Sequence, residues 1–193
     1  MSTIRVVSGI LKGKRIPFDN KKFNNADITT QKVKGAVFSM LGDDLSGTAF
    51  MDLYGGSGQM GIEALSRGSR VVIINEKDKE RYNFLKSFIK EIDEYSQVML
   101  LNLSDYKCLR FLYNRCFQME YIYVDPPYHK SRSKVTKYYE ILGRIKKNDA
   151  LSGDGIIIVQ HYSSNILDEK IDCYKKIKSN EYGNTTISLY RES

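Results

Sequence analysis

Five short apolar runs dominate this chain: AFMDLY (49–54), RVVIIN (70–75), QVMLL (97–101), EYIYV (120–124) and GIIIVQ (155–160). Each is the length of a strand, and each is separated from the next by enough residues for a crossover helix. RVVIIN is apolar through its centre rather than alternating, as a strand covered on both faces should be. The intervening segments carry helical spacing. Residues 59–67 are closed by Gly68. Residues 78–93 place Tyr82, Leu85, Ile89 and Ile92 on one side, and 105–115 and 133–147 follow the same logic. A further helix is expected over TQKVKGAVFSML (30–41), with Thr29 or Thr30 as its cap and Gly42 as its stop. The tail changes rhythm. DCYKKIK (172–178) and TTISLYR (185–191), joined by NEYGN, read as a hairpin. Strands alternating with helices and ending in a hairpin predict a doubly wound, mostly parallel α/β sheet with an antiparallel end.

A length of 193 residues with 41% hydrophobic content fits one domain with a real core. Residues 1–28 read as a basic arm with short strands over 4–18, and 29–193 as the sheet domain. No run approaches a membrane span, and the N-terminus lacks an apolar signal core. A cytosolic address is expected. Cys108, Cys116 and Cys173 are odd in number and lack CxxC spacing, so neither a disulfide framework nor a zinc site is indicated. No metal is expected.

The net charge of +7 is segregated. Residues 1–40 hold eight Lys/Arg against Asp19 and Asp27, and residues 129–147 hold seven against Glu140. Each segment is therefore +6, and the remainder −5. Clustered positive charge suits a polyphosphate partner. Arg5, Lys12, Lys14, Arg15, Lys32, Lys34, Lys130 and Arg132 are the candidate RNA contacts.

In MDLYGGSGQMG, Gly56, Gly58 and Gly61 fit G-x-G-x-x-G between a strand and a helix. Such a loop lets backbone approach a ligand, with helix N–H groups behind it. Glu76 stands at the end of the next strand, where an acid can accept both hydroxyls of a ribose. Tyr54, Gly55, Gly56, Ser57, Gly58, Glu76 and Lys77 therefore form a candidate cofactor site. Asp52 decides the cofactor class. A carboxylate beside the loop is awkward for a pyrophosphate and suits cationic ammonium and sulfonium groups. S-adenosylmethionine is expected in preference to NAD.

YIYVDPPYHK (121–130) ends a core strand with a carboxylate, two prolines and an aromatic ring. Ligands in open α/β sheets sit beyond the carboxyl ends of strands. Asp52, Glu76, the Ser104–Asp105 pair and Asp125 should converge on one rim. Proline has no N–H, so the Asp125–Pro126–Pro127 corner offers acceptors and few donors. The Asp125 carboxylate and the Pro126 carbonyl can hold the two protons of an exocyclic amine, with Tyr128 stacked on the base. The base must be unpaired or flipped out to reach them. His129 and His161 are not read as bases.

The motifs DLYGGSG (52–58), EALSRG (63–68) and VDPPY (124–128) resemble the bacterial small-subunit (16S) ribosomal RNA guanine-N2 methyltransferases. The similarity extends to RVVSGILKGKRIP (5–17), TTQKVKGAVFSML (29–41) and YGNT (182–185). The resemblance implies a Rossmann-like class I methyltransferase with a seven-stranded sheet. It implies methylation of one guanine amine on the assembled or assembling small subunit; a monomer is expected. It also implies that Asp125, Pro126 and Tyr128 hold the base, Glu76 the ribose, and Ser104–Asp105 the adenine. Asp27 and Ile28 stand where the family has Arg-Pro. The DPPY motif by itself is equally compatible with adenine-N6 methylation of DNA or RNA. An NAD-linked oxidoreductase would share the glycine loop, but Asp52 and the lack of a placed hydride-transfer acid argue against it. A non-catalytic RNA-binding protein could keep the fold, but the intact DPPY corner argues against that.

Overall fold

The computed structural model describes residues 4–23, 28–93, 96–127 and 135–193. Its centre is one eight-stranded sheet, built from β3 (Ala49–Asp52), β4 (Val71–Asn75), β5 (Val98–Leu101), β6 (Met119–Val124), β7 (Leu151–Tyr162), β8 (Lys170–Ile171), β9 (Tyr174–Tyr182) and β10 (Thr185–Glu192). The order is β5-β4-β3-β6-β7-β10-β9-β8. The first five are parallel, and β10 lies antiparallel to both β7 and β9. The two-residue β8 extends the expected seven strands by one edge pairing. It is too short to leave a periodic signal. A separate pair, β1 (Ile4–Arg5) and β2 (Arg15–Ile16), forms the arm.

Strand alternation builds two cores. Phe50, Val72, Ile74, Tyr123 and Ile158 face one way, toward α1 (Gln31–Leu41), α2 (Gln59–Ser66) and α3 (Lys79–Ile92). Met51, Ile73, Ile122, Val124 and Ile157 face the other way, toward α4 (Asp105–Asn114) and α5 (Val135–Lys147). The crossovers thus cover both faces, which is why the central strands are nearly all apolar. Thr30 caps α1, accepting from Val33 N at 3.3 Å. Asp78 caps α3 and Ser104 caps α4 in the same way.

The arm is seated on α2 through its backbone. Val7 N and Ser8 N donate to the two carboxylate oxygens of Glu63 at 2.8 and 2.9 Å. Ile10 N donates to Ser66 O, and Leu11 N to Ser66 Oγ. Gly9 sits at φ +80°, and a Cβ there would lie 1.7 Å from Ser66 O. Only glycine can approach so closely. Lys34 completes the seat. Its side chain is fully buried, ion-paired to Glu63 at 3.2 Å and donating to Arg5 O. Burial lowers its pKa, partly opposed by Glu63. Arg67 reaches Glu63 from the next turn at 3.1 Å. The expectation that Lys34 meets RNA is therefore corrected: its charge belongs to a buried triad. Arg5, Lys12, Lys14, Arg15 and Lys32 are exposed. Lys130 and Arg132 lie outside the described residues. Among the described residues, no helix is long and apolar enough to cross a membrane.

Candidate cofactor and nucleobase site

The carboxyl ends of β3, β4, β5 and β6 open onto a cavity of about 450 Å³. That is within the roughly 300–1,000 Å³ range of small-molecule sites. Its wall includes Tyr54, Gly56, Glu76, Ser104, Asp105 and Asp125, so every strand-end acid that the sequence singled out reaches one rim except Asp52. Pro126, Pro127 and Lys77 also line it. Tyr128 lies outside the described residues.

The glycine loop is tightly built. Gly56 and Gly58 have φ of +53° and +74°. A Cβ on Gly58 would meet Leu85 at 2.5 Å, and one on Gly55 would meet Ile74 at 2.7 Å. The loop is pinned to β4 by Glu76, whose Oε2 accepts from Gly56 N at 2.7 Å and Oε1 from Asp78 N at 2.6 Å. Each carboxylate oxygen has a second lone pair, so Glu76 can hold the loop and still accept from a ligand hydroxyl. Burial raises its pKa, with the two backbone donors opposing. Ser57 is buried within the loop.

Asp52 lies behind the loop and is 1% exposed. Its Oδ2 accepts from Gly61 N at 3.3 Å, while its Oδ1 has no hydrogen-bond partner among the described residues. Burial, reinforced by Asp125 and Glu76, pushes its carboxyl up to about 7. The N–H of Gly61, in the first turn of α2, is thus engaged by Asp52. Glu76, Asp105 and Asp125 share the wall with Lys77, Arg81 and Lys137, and Asp52 adds a fourth carboxyl behind the loop. An orphaned buried carboxylate oxygen fits an ammonium or sulfonium neighbour.

Asp105 is already paired. Its Oδ2 accepts from Tyr54 Oη at 2.8 Å and from Arg144 Nη1 at 2.9 Å, tying the loop to α5. Asn75 was not anticipated. It lines the cavity, donates to Leu53 O and accepts from Leu103 N, so it stitches β3 to the segment after β5. Asp125 is held from behind by Gln160 and Thr29, which donate to its Oδ2 at 2.8 and 3.4 Å. These partners are 35 and 96 residues away in sequence, so no local pattern announces them. His161 is buried against Ser188 and Tyr162, away from this wall. Among the described residues, no three His, Cys, Asp or Glu side chains gather to hold a metal ion.

The family described as conserved hypothetical protein 95 matches residues 4–191. A ribosomal RNA small subunit methyltransferase D of Buchnera aphidicola is 31% identical over 186 residues, covering 92% of this chain and 95% of that protein. Among solved structures, yhhF of Escherichia coli superposes with a TM-score of 0.80 at 19% identity, covering 100% of this chain and 99% of that one. A methyltransferase from Geobacter sulfurreducens gives 0.67 at 12% identity, covering 90% and 84%. These likenesses establish the class I methyltransferase fold.

Proposed function

The chain belongs to the conserved hypothetical protein 95 family, alongside the ribosomal RNA small subunit methyltransferases D, and from that membership we propose that it is an S-adenosylmethionine-dependent rRNA methyltransferase. Its target is the exocyclic N2 amine of a guanine in 16S ribosomal RNA, and its cofactor leaves as S-adenosylhomocysteine. The supporting observation is the placement of Asp125 and Pro126 on the wall of the cavity that Glu76 and Tyr54 also line.

The residues divide the work as follows. Glu76 accepts from ribose hydroxyls. Asp52 supplies negative charge beneath a cationic group. Ser104 and Asp105 border the adenine, with Asp105 steadied by Arg144. Bound S-adenosylmethionine supplies a methyl group already activated by its sulfonium. Asp125 and the Pro126 carbonyl accept the two amine N–H groups and aim the nitrogen, and Tyr128 stacks on the base. Once the nitrogen has gained a carbon it carries one proton too many, which Asp125 is placed to receive. Little acid–base power is needed, and positioning supplies much of the acceleration. Arg5, Lys12, Lys14, Arg15 and Lys32, with Lys130 and Arg132, hold the RNA phosphates. The protein acts in the cytoplasm as a monomer, with residues 1–28 as an arm on a single methyltransferase domain.

The test is radiolabelled S-adenosylmethionine offered in parallel with deproteinised rRNA, small subunits and DNA, followed by nucleoside analysis. N2-methylguanosine from rRNA or subunits is expected, and Asp125→Ala should abolish it while retaining cofactor. N6-methyladenine would replace the reading by adenine methylation. No label in any nucleic acid would end it.

A further inference from the structure

Asp125 is held by a chain of hydrogen bonds that can run in only one direction. An ionised carboxylate accepts and never donates. The amide of Gln160, on β7, must therefore turn its Nε2 toward Asp125 Oδ2, which lies 2.8 Å away. Its Oε1 then faces the hydroxyl of Tyr123, on β6, at 2.7 Å, and the phenol must donate. Burial holds the Tyr123 pKa well above its ordinary value, so its proton stays in place. Thr29 Oγ1 donates to the same Asp125 oxygen at 3.4 Å and stands 3.5 Å from the Tyr123 hydroxyl. Thr29 is fixed in turn by Gln59 Nε2, which bonds its carbonyl at 2.9 Å. Tyr123 and Gln160 are 1% and 4% exposed. Neither is among the residues lining the cavity, whereas Asp125 is.

We propose that Gln160, oriented by Tyr123, is a positioning residue that makes residue 125 present an acceptor to the incoming amine. The inference rests on the reading of Asp125 as the amine acceptor and adds what enforces it. A rear donor fixes the polarity of whatever stands in front. With a carboxylate at 125 both oxygens accept: Oδ2 takes the rear donors, and Oδ1, itself buried, can present only an acceptor to the amine. With an amide at 125, and Tyr123 still donating to Gln160 Oε1, the Gln160 N–H captures the amide oxygen and turns its NH₂ outward. Two donors would then face each other across the site.

This polarity can be reversed. Asp125→Asn in the otherwise native chain should bind S-adenosylmethionine normally and transfer methyl groups poorly. Adding Gln160→Glu replaces the rear donor by an acceptor, which takes the NH₂ of the new amide and still accepts from Tyr123. The amide oxygen then turns to the cavity. Transfer by Asp125→Asn/Gln160→Glu should exceed that of Asp125→Asn by about tenfold or more, the rate equivalent of one well-aimed hydrogen bond. The gain should appear in kcat, with KM for S-adenosylmethionine unchanged. Gln160→Glu alone should be poor, since it sets two carboxylates together. A double variant no faster than Asp125→Asn overturns the inference.

Two further measurements keep the test decisive. Gln160→Met removes the donor while retaining bulk; it should lower kcat and leave cofactor affinity intact, and a native kcat refutes the assignment. Hydrogen exchange of the ¹⁵N-labelled side-chain amide at position 125 needs no activity. It should be fast in Asp125→Asn and slowed in the double variant, and equal rates refute the inference. If the wild-type protein methylates no nucleic acid, the proposed function fails, while the exchange measurement still judges the polarity.

Discussion

Asp52 offers a test in which stability and binding move in opposite directions. The side chain is 1% exposed, and its carboxyl is pushed from 3.8 up to about 7, chiefly by burial. A carboxyl whose pKa is raised by folding costs stability when it is made to ionise. Nothing is lost below the unfolded value of 3.8. The loss grows as pH rises from there to about 7 and is complete above it. A gap of about three units, at roughly 1.4 kcal/mol each, amounts to roughly 4 kcal/mol. Asp52→Asn cannot ionise, and its amide oxygen can keep the bond from Gly61 N. The ligand-free variant should therefore be more stable than the parent at pH 8 by up to roughly 4 kcal/mol, with the gap closing below pH 4. Urea unfolding at stepped pH measures this directly. On the proposed reading, the same substitution should weaken S-adenosylmethionine binding, because it removes a negative charge from behind the glycine loop. In the parent, affinity should rise with pH and level off near 7. An asparagine variant that is less stable at pH 8, or a stability difference that ignores pH, would refute the argument.

Glu76→Ala should weaken S-adenosylmethionine binding by about 1–3 kcal/mol in calorimetry, since ribose hydroxyls and the Gly56 and Asp78 amides lose their acceptor. Unchanged affinity would remove Glu76 from the site. Glu63→Gln leaves the buried Lys34 without its counter-charge, while Arg67 keeps Asp43, and should cost about 3–5 kcal/mol in urea unfolding, with faster proteolysis of the arm. Native stability would show that the triad is dispensable. Replacing Lys12, Lys14 and Arg15 by alanine should weaken RNA binding and reduce the slope of log K against log salt by about two to three, at about 0.7–0.9 per phosphate contact. An unaltered slope would place the RNA elsewhere.

The sheet could be read from the sequence because its strands are buried on both faces. RVVIIN and EYIYV are apolar and buried through residues 72–74 and 122–124, and the Gly68 stop and Thr30 cap mark helix ends by local chemistry. The rim was legible for the same reason, since strand ends in a parallel sheet must share one edge. What escaped depends on contacts distant in sequence. Lys34 occupies an ordinary position in a polar stretch of α1, and only its proximity to Glu63 makes it a core residue. Helix α2 is buried on all sides, so Glu63 and Ser66 show no amphipathic pattern to betray their grip on the arm. Thr29 was read as a possible cap, yet it turns toward Asp125 while its neighbour caps α1. Gln160 lies near the end of β7 with no local hint that it supports the acid that follows β6.

Glu63 and Ser66 clasp peptide groups of residues 7–11 and none of their side chains. A mounting of this kind is indifferent to most of what it carries. Apart from the glycine at position 9, the outward residues of this stretch are free to drift over evolutionary time without unseating it. Its tip can thus be retuned for a new surface, by selection or by grafting, while the chemistry beneath stays as it is.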